Sequence, residues 1–373
     1  MIKTPQPKQV ITVILFTAIL GLLQPAKAPG QNPVIQKITA NGMYADLNTT
    51  KGRIILRLEY EKTPMTVANF VGLAEGTIKN AAFPEGKPFF DGTPFHRVVA
   101  GHVIQAGSAV GGSSGSPGYT FPNEIHPDLS HNKAGMLGMA NSGPHTNASQ
   151  FYITLGNRSY LDGDYTVFGR VIAGMDVVNS IVQGDTIRSI SIIRVGKKAE
   201  QFIVTTESFT AMVEAAKERV KQQEEKKKRD EEALITKKWL KAAAGENGTK
   251  YIIRKEGIGK KPVQGTIITV QYTGSFLLKG TKFHSTADAG RPAAEGNPEP
   301  FEYEIGRSRI NPGFDAAVKD MKEGEKRLVI VPGDRAYGSG GFYGKETPGK
   351  KRFVISPNTS LVYEIEVIKI SKQ

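Results

Sequence analysis

Alternation with a period of two marks the first folded stretch of the chain. In GRIILRLEY, Ile54, Leu56, Leu58 and Tyr60 fall on one face and Arg53, Arg57 and Glu59 on the other, the pattern of a half-buried strand. The period then changes to that of a helix. Thr63 can cap it, Pro64 suits its first turn, Val67, Phe70, Val71 and Ala74 form an apolar stripe, and Gly76 can end it. Short strands and glycine-rich loops are expected over residues 80–170, and a second amphipathic helix from Met175 to Val182. Residues 207–244 read differently. They are rich in helix formers, with charges spaced for i to i+4 pairs and sparse apolar positions such as Val220, Leu234 and Trp239, which predicts a solvated helical linker. No heptad is sustained, which argues against a coiled coil. Strand patterns return in TIITVQYTG, KRLVIVP and SLVYEIEVIKI, with one helix near Gly313 to Lys322 carrying Phe314, Ala317, Val318 and Met321 on one face.

Composition narrows the chemistry. The 373 residues, 39% hydrophobic and 23% charged, suit a soluble globular protein of two or three domains. There is no cysteine, which excludes disulfides, thiolate metal sites and cysteine nucleophiles. The net charge of +13 is spread along the chain, apart from a local basic loop of Lys345, Lys350, Lys351 and Arg352, so no nucleic-acid partner is expected. Lys3 and Lys8 precede an apolar run from Val10 to Leu23, and Ala26 and Ala28 supply a small-residue cleavage site. Residues 1–28 therefore read as an export signal. The run is short for a membrane span, yet Pro29 opposes cleavage, so an uncleaved anchor is the alternative. His96, His102, His126, His131 and His145 lie close in sequence but at no ligand spacing and without a carboxylate motif; neither a metal nor a cofactor is expected.

The stretch MANSGPHTNASQFYI, residues 139–153, is rich in amides and hydroxyls and holds no carboxylate, lysine, arginine or cysteine. It belongs to GMLGMANSGPHTNASQFYI (135–153), which together with FHRVVAGHVIQAG (95–107) and YLDGDYTVFGRV (160–171) resembles the signature segments of the cyclophilins, in order, over residues 29–196. The resemblance implies a closed antiparallel eight-stranded β-barrel capped by two helices, and cis/trans isomerisation of X-Pro bonds. That reaction breaks no bond and moves no proton. Its obstacle is lost amide resonance, a barrier of about 18–20 kcal/mol, so a dry pocket and well-placed hydrogen-bond donors suffice. By position, the resemblance makes Arg97 the guanidinium aimed at the prolyl amide and Gln105 its orienting partner, with Asn141 and Ala140 holding the extended peptide and Gln150 beside them. Val103, Tyr152 and Leu161 would wall the proline pocket. His102, Val103, Tyr152, Tyr160 and Tyr165 stand where the family usually has Phe, Met, Phe, Trp and His, which implies an aromatic but wetter pocket and weak cyclosporin binding.

The C-terminal segments VQYTGSF, GTKFHST, FEYEIG, PGFDAAVKDMKEGEKRLVIVP, DRAYG and SLVYEIEVI are similar, in order, to the FK506-binding proteins. This implies an α+β domain, a five-stranded antiparallel sheet wrapped around one helix. Tyr272, Phe283, Phe301, Tyr303, Ile310, Phe314, Tyr337, Ile355 and Tyr363 would line an aromatic cup for proline, with His284 where an Asp usually meets the ligand and Asn311 in place of an Ile. The basic loop would overhang that cup.

The whole reads as mainly β with α: residues 1–28 a signal or anchor, 29–206 a cyclophilin-like domain, 207–244 a charged helical linker and 245–373 an FK506-binding-protein-like domain. The expected function is a peptidyl-prolyl isomerase of the periplasm or cell envelope, acting on proline-containing unfolded chains and binding cyclosporin or FK506 weakly. The other class is a chaperone or scaffold whose pockets grip proline without turnover.

Overall fold

A computed structural model describes residues 38–371 apart from 113–114, 287–299, 308–309 and 344–352. The expected export signal and the basic loop lie outside the described residues.

The N-terminal half is one antiparallel sheet of eight strands with helices packed on it. In chain order these are β1 (Gly42–Thr49), β2 (Gly52–Leu58), α1 (Pro64–Glu75), β3 (Arg97–Val99), β4 (Val103–Ala106), β5 (Met136–Met139), β6 (Phe151–Thr154), β7 (Val167–Ala173), α2 (Met175–Ser180), β8 (Ile187–Val195) and the short α3 (Lys197–Glu200). The lateral order is β3-β4-β6-β5-β7-β2-β1-β8. The sheet is an open half-barrel and not the closed barrel expected. Its edges, β3 and β8, share no ladder; just before them a single bridge joins Pro94 and Thr186, flanked by the Phe95 N–H to Asp185 O bond (2.7 Å) and the Ile187 N–H to Thr93 O bond (2.9 Å). Proline has no N–H to extend that seam, and β3 is only three residues long.

Helix α1 fills the concave side and is buried from Met65 to Ala74. Phe70 sits at its centre, 5.3 to 5.5 Å from the rings of Phe90, Phe151 and Phe168. Gly76 ends the helix with φ 72°, a left-handed conformation that favours glycine. Its start differs from the local expectation. The Thr63 hydroxyl donates to Glu59 O (3.2 Å), and the carboxylate of Glu124, from a distant loop, accepts the N–H groups of Met65 (3.2 Å) and Thr66 (2.8 Å). A negative charge at a helix N-terminus is stabilised there by the exposed N–H groups.

Helix α4 (Thr206–Trp239) opens with a capping box between Thr205 and Ser208. Only its middle fits the expectation of a solvated linker. Phe209, Val213 and Ala216, spaced i, i+4 and i+7, are buried in the first core, with Phe209 5.4 Å from Tyr119 and 5.9 Å from Phe121. At the other end Leu234, Ile235 and Trp239 pack on Leu277, Leu328, Ile330 and Val362 of the second half.

That half begins with β9 (Ala243–Ala244), β10 (Lys250–Lys255), β11 (Ile267–Phe276), β12 (Lys282–Ser285) and β13 (Phe301–Glu304). It continues through α5 (Pro312–Lys319), β14 (Lys326–Val331), the β15–β16 pair (Phe342–Tyr343 and Phe353–Ile355) and β17 (Leu361–Ile370). Among the described residues the main sheet has seven strands rather than five, ordered β12-β11-β17-β14-β10-β9 with β13 also on β11. Two details account for the difference. Long β11 is flanked by β13 along Ile267–Val270 and by β12 along Thr273–Ser275, and the two-residue β9 extends the far edge. α5 lays Phe314, Ala317 and Val318 against this sheet.

Phe209→Ala removes a large ring from the first core and is expected to lower that domain's stability by about 3–5 kcal/mol, read from urea unfolding. Stability unchanged from wild type would mean that the helix merely lies on the surface.

Candidate functional sites

Strand register assembles the first site. Arg97 on β3 faces Gln105 on β4, Gln105 faces Tyr152 on β6, and Tyr152 faces Gly138 on β5. Residues directly opposed across antiparallel strands share a face, so these four form a row over the sheet's outer surface. Their neighbours along each strand point the other way: Ile104, Ile153 and Leu137 belong to the inner core at 0 or 1% exposure. On the outer face a second, small apolar cluster of Val103, Tyr152 and Leu161 is joined by Ala140, Tyr160 and Tyr165.

Row and cluster bound a cleft of about 170 Å³ lined by Arg97, His102, Val103, Gln105, Ala140, Asn141, Tyr152, Leu161 and Tyr165. Arg97 is exposed at its rim and has no ion-pair partner among the described residues. The Gln105 amide donates to Gln150 Oε1 (2.8 Å), which also meets His96 Nε2 (3.1 Å), and Gln150 Nε2 donates to Gly112 O (3.2 Å). Asn141 donates to Asp164 O (3.0 Å) and accepts from the Gly143 N–H (3.2 Å), so its side chain is fixed before any ligand arrives. Gln150 and Tyr160, expected in the site, are not among the lining residues but adjoin them, Gln150 through Gln105 and Tyr160 in the outer-face cluster.

The polar substitutions in the wall are satisfied from behind. His102 lies nearly parallel to Tyr160 (19°, 6.3 Å between centroids), and its Nδ1 accepts from Arg158 Nε (2.9 Å) with the Tyr160 hydroxyl at 3.3 Å. The Tyr152 hydroxyl meets Nε2 of the fully buried His131 at 2.8 Å. The His102 ring and the Tyr152 hydroxyl therefore already hold hydrogen-bond partners within the protein. Arg158, His131, Asp164 and His96 were not expected in supporting roles. His131 lies in the SHNKAG stretch next to the signature segments, but nothing local signals its partner.

The nine residues expected to line the second site, an aromatic cup, join one core cluster. Phe314, Tyr363 and Ile355 are buried at 0 to 1% exposure, while Phe283, Phe301, Ile310 and Tyr337 are only partly buried against the cluster. Tyr272 is central, 5.1 Å from Phe314 and 6.0 Å from Tyr363. Phe301 stacks on Tyr303 at 5.3 Å, and Phe283 meets Tyr363 edge-on at 5.9 Å. Asn311 is the N-cap of α5. Its Oδ1 accepts the Phe314 N–H (2.9 Å) and its Nδ2 donates to the Tyr363 hydroxyl (2.7 Å). An Asn-Pro-Gly start before an amphipathic helix is a legible capping signal, and the substitution at this position has that structural reason. His284 stacks on Tyr272 at 5.1 Å and 17°, its buried Nδ1 without a hydrogen-bond partner among the described residues.

The comparisons with known proteins follow the same division. Residues 44–197 match the family model of cyclophilin type peptidyl-prolyl cis-trans isomerases, and residues 259–368 that of FKBP-type peptidyl-prolyl cis-trans isomerases. Peptidyl-prolyl cis-trans isomerase A of Mycobacterium tuberculosis is 48% identical over 132 residues, which cover 34% of this chain and 72% of the relative. Peptidyl-prolyl cis-trans isomerase B of Streptomyces anulatus is 42% identical over 153 residues, 39% of this chain and 87% of the relative. Peptidyl-prolyl cis-trans isomerase-like 1 of Bos taurus is 39% identical over 143 residues, 38% of this chain and 80% of the relative.

Burial holds the His284 imidazole below its ordinary value of 6.5. The unfolded chain then binds more protons than the folded one as pH falls through about 6.5, so His284 favours the folded domain above that pH and opposes it below. His284→Phe keeps a ring on Tyr272 and is expected to flatten the loss of second-domain stability between about pH 7 and 5, read from urea unfolding. An equally steep loss in the variant would place the responsible proton elsewhere.

Proposed function

Since the chain belongs to the cyclophilin-type peptidyl-prolyl isomerase family and carries an FKBP-type isomerase domain behind it, we propose that the outer-face cleft turns X-Pro bonds with Arg97 as its principal group. The observation that carries this reading is the cross-strand row, which stands an exposed guanidinium beside an apolar wall. A proline ring held against Val103, Tyr152 and Leu161 brings its amide within reach of Arg97. A guanidinium hydrogen bond to the prolyl nitrogen, whose lone pair is localised only when the amide is twisted, favours the twisted amide over the planar one, and no proton transfer is required. Gln105, opposite Arg97 and tied to Gln150, orients it. Asn141, already fixed by Asp164, and Ala140 align the peptide.

The aromatic cup is proposed as a second proline site. Two such sites on one chain raise the effective concentration of a client's second proline once the first is held. The clients fitted by this arrangement are proline-containing unfolded chains. The charged start and apolar run of residues 1–28 support export, and hence folding of exported proteins in the periplasm or cell envelope. Cyclosporin and FK506 are proposed as weak ligands at most, because Tyr160 is engaged with His102 and because His284 brings a neutral ring to the cup.

The test silences the cup through its rim, with Phe301→Ala and Tyr337→Ala in the full chain. In that background Arg97→Ala is expected to lower kcat/KM for an X-Pro peptide by at least about a hundredfold while peptide binding persists. Equal, negligible rates before and after the change, with binding retained, would assign the cleft a holding role in place of turnover.

A further inference from the structure

Behind the cleft wall lies a set of polar groups that the proposed reaction does not use. His131 is fully buried, and both its ring nitrogens are engaged: Nδ1 with Asp162 Oδ1 at 2.7 Å, Nε2 with the Tyr152 hydroxyl at 2.8 Å. Asp162 also accepts from the Ser130 hydroxyl (2.6 Å) and the His131 N–H (2.8 Å). Burial alone would push the Asp162 carboxyl up, but the bonds from His131 and Ser130 hold it below the usual carboxylate range. An ionised Asp162 demands a proton on Nδ1, which in the neutral ring leaves Nε2 to accept from the Tyr152 O–H.

Gly138 completes the arrangement from the other side. It faces Tyr152 across β5 and β6, and a Cβ there would stand 2.4 Å from Tyr152 Cζ and 2.5 Å from its hydroxyl oxygen. Its backbone is not left-handed, so what the position requires is space. Tyrosine is accommodated only because one neighbour has no side chain and another accepts its hydroxyl.

We propose that Asp162, His131 and Gly138 are positioning residues for Tyr152: they fix its ring in the cleft wall and draw its hydroxyl into the interior, so that the wall offers proline a rigid, apolar surface. This rests on reading the cleft as the proline site. A loosened ring weakens the grip on proline in the planar and twisted states alike, so the chain acts on KM, whereas Arg97 acts on kcat.

The experiment uses the full chain with the silenced cup and an X-Pro peptide. His131→Phe is expected to raise KM about fivefold with kcat within about twofold, the scale of one hydrogen bond. Gly138→Ser drives its side chain into the anchored ring and is expected to raise KM about tenfold or more. Adding Tyr152→Phe to Gly138→Ser frees the ring to swing aside, and KM returns to the value of Tyr152→Phe alone. That rescue places the effect of Gly138→Ser on the Tyr152 ring rather than on the fold at large, and His131→Phe, which adds no atoms beside Gly138, reports the anchor separately. An unaltered KM in His131→Phe, or a double variant no better than Gly138→Ser, overturns the proposal. Should the unsubstituted cleft show no turnover, the isomerase reading fails by itself, and peptide Kd in the same variants decides between the same two outcomes.

Discussion

The two-residue repeat of an antiparallel strand, carried in register across β3, β4, β6 and β5, is the constraint on which the first site depends. One set of alternate residues, Val98, Ile104, Ile153 and Leu137, packs towards α1, and the other set, Arg97, Gln105, Tyr152 and Gly138, is thereby fixed in a row outside. A slip of one residue in any pair would exchange the two faces. Burial of the inner set therefore sets the spacing of the outer one, and the cleft takes its stiffness from the core beneath it.

The same economy appears in the cup. Asn311 starts α5 and holds the Tyr363 hydroxyl with one side chain, so the helix end and a cup residue are tied together. α4 likewise reaches both halves, through Phe209 in the first core and through Trp239 against the small cluster of Leu277, Leu328, Ile330 and Val362. Near that second end Glu231 accepts from Ser360 (2.9 Å) and Lys227 donates to Asn358 O (2.7 Å), in the turn that follows cup residue Ile355. Polar and apolar contacts thus seat the helix on each domain within a few residues of elements that shape a site.

Local signals in the sequence were sufficient where the physics is local. Pro64 and Gly76 bracket α1 because proline fits a first turn and glycine the left-handed exit, and the alternation of Ile54, Leu56 and Leu58 is that of β2. The three signature segments led to nine residues that the fold brings into one cleft. What escaped a local reading depends on distant partners. Glu124 caps α1 from 58 and 59 residues away, and the destination of the Tyr152 hydroxyl, 21 residues back at His131, decides whether that tyrosine wets the pocket or seals it. The open seam beside Pro94 and the division of the β11 edge between two short strands are likewise outcomes of pairing. The stripe of Phe209, Val213 and Ala216 was legible in spacing, but its partners Tyr119 and Phe121 were not.

The most direct test of the central claim is nuclear Overhauser contact between the chain and an X-Pro peptide undergoing catalysed exchange. Adding the chain is expected to accelerate cis/trans exchange, with contacts from the proline ring to the Val103 and Leu161 methyl groups and the Tyr152 ring. Accelerated exchange abolished by silencing the cup, with no contact at those three residues, would contradict that claim.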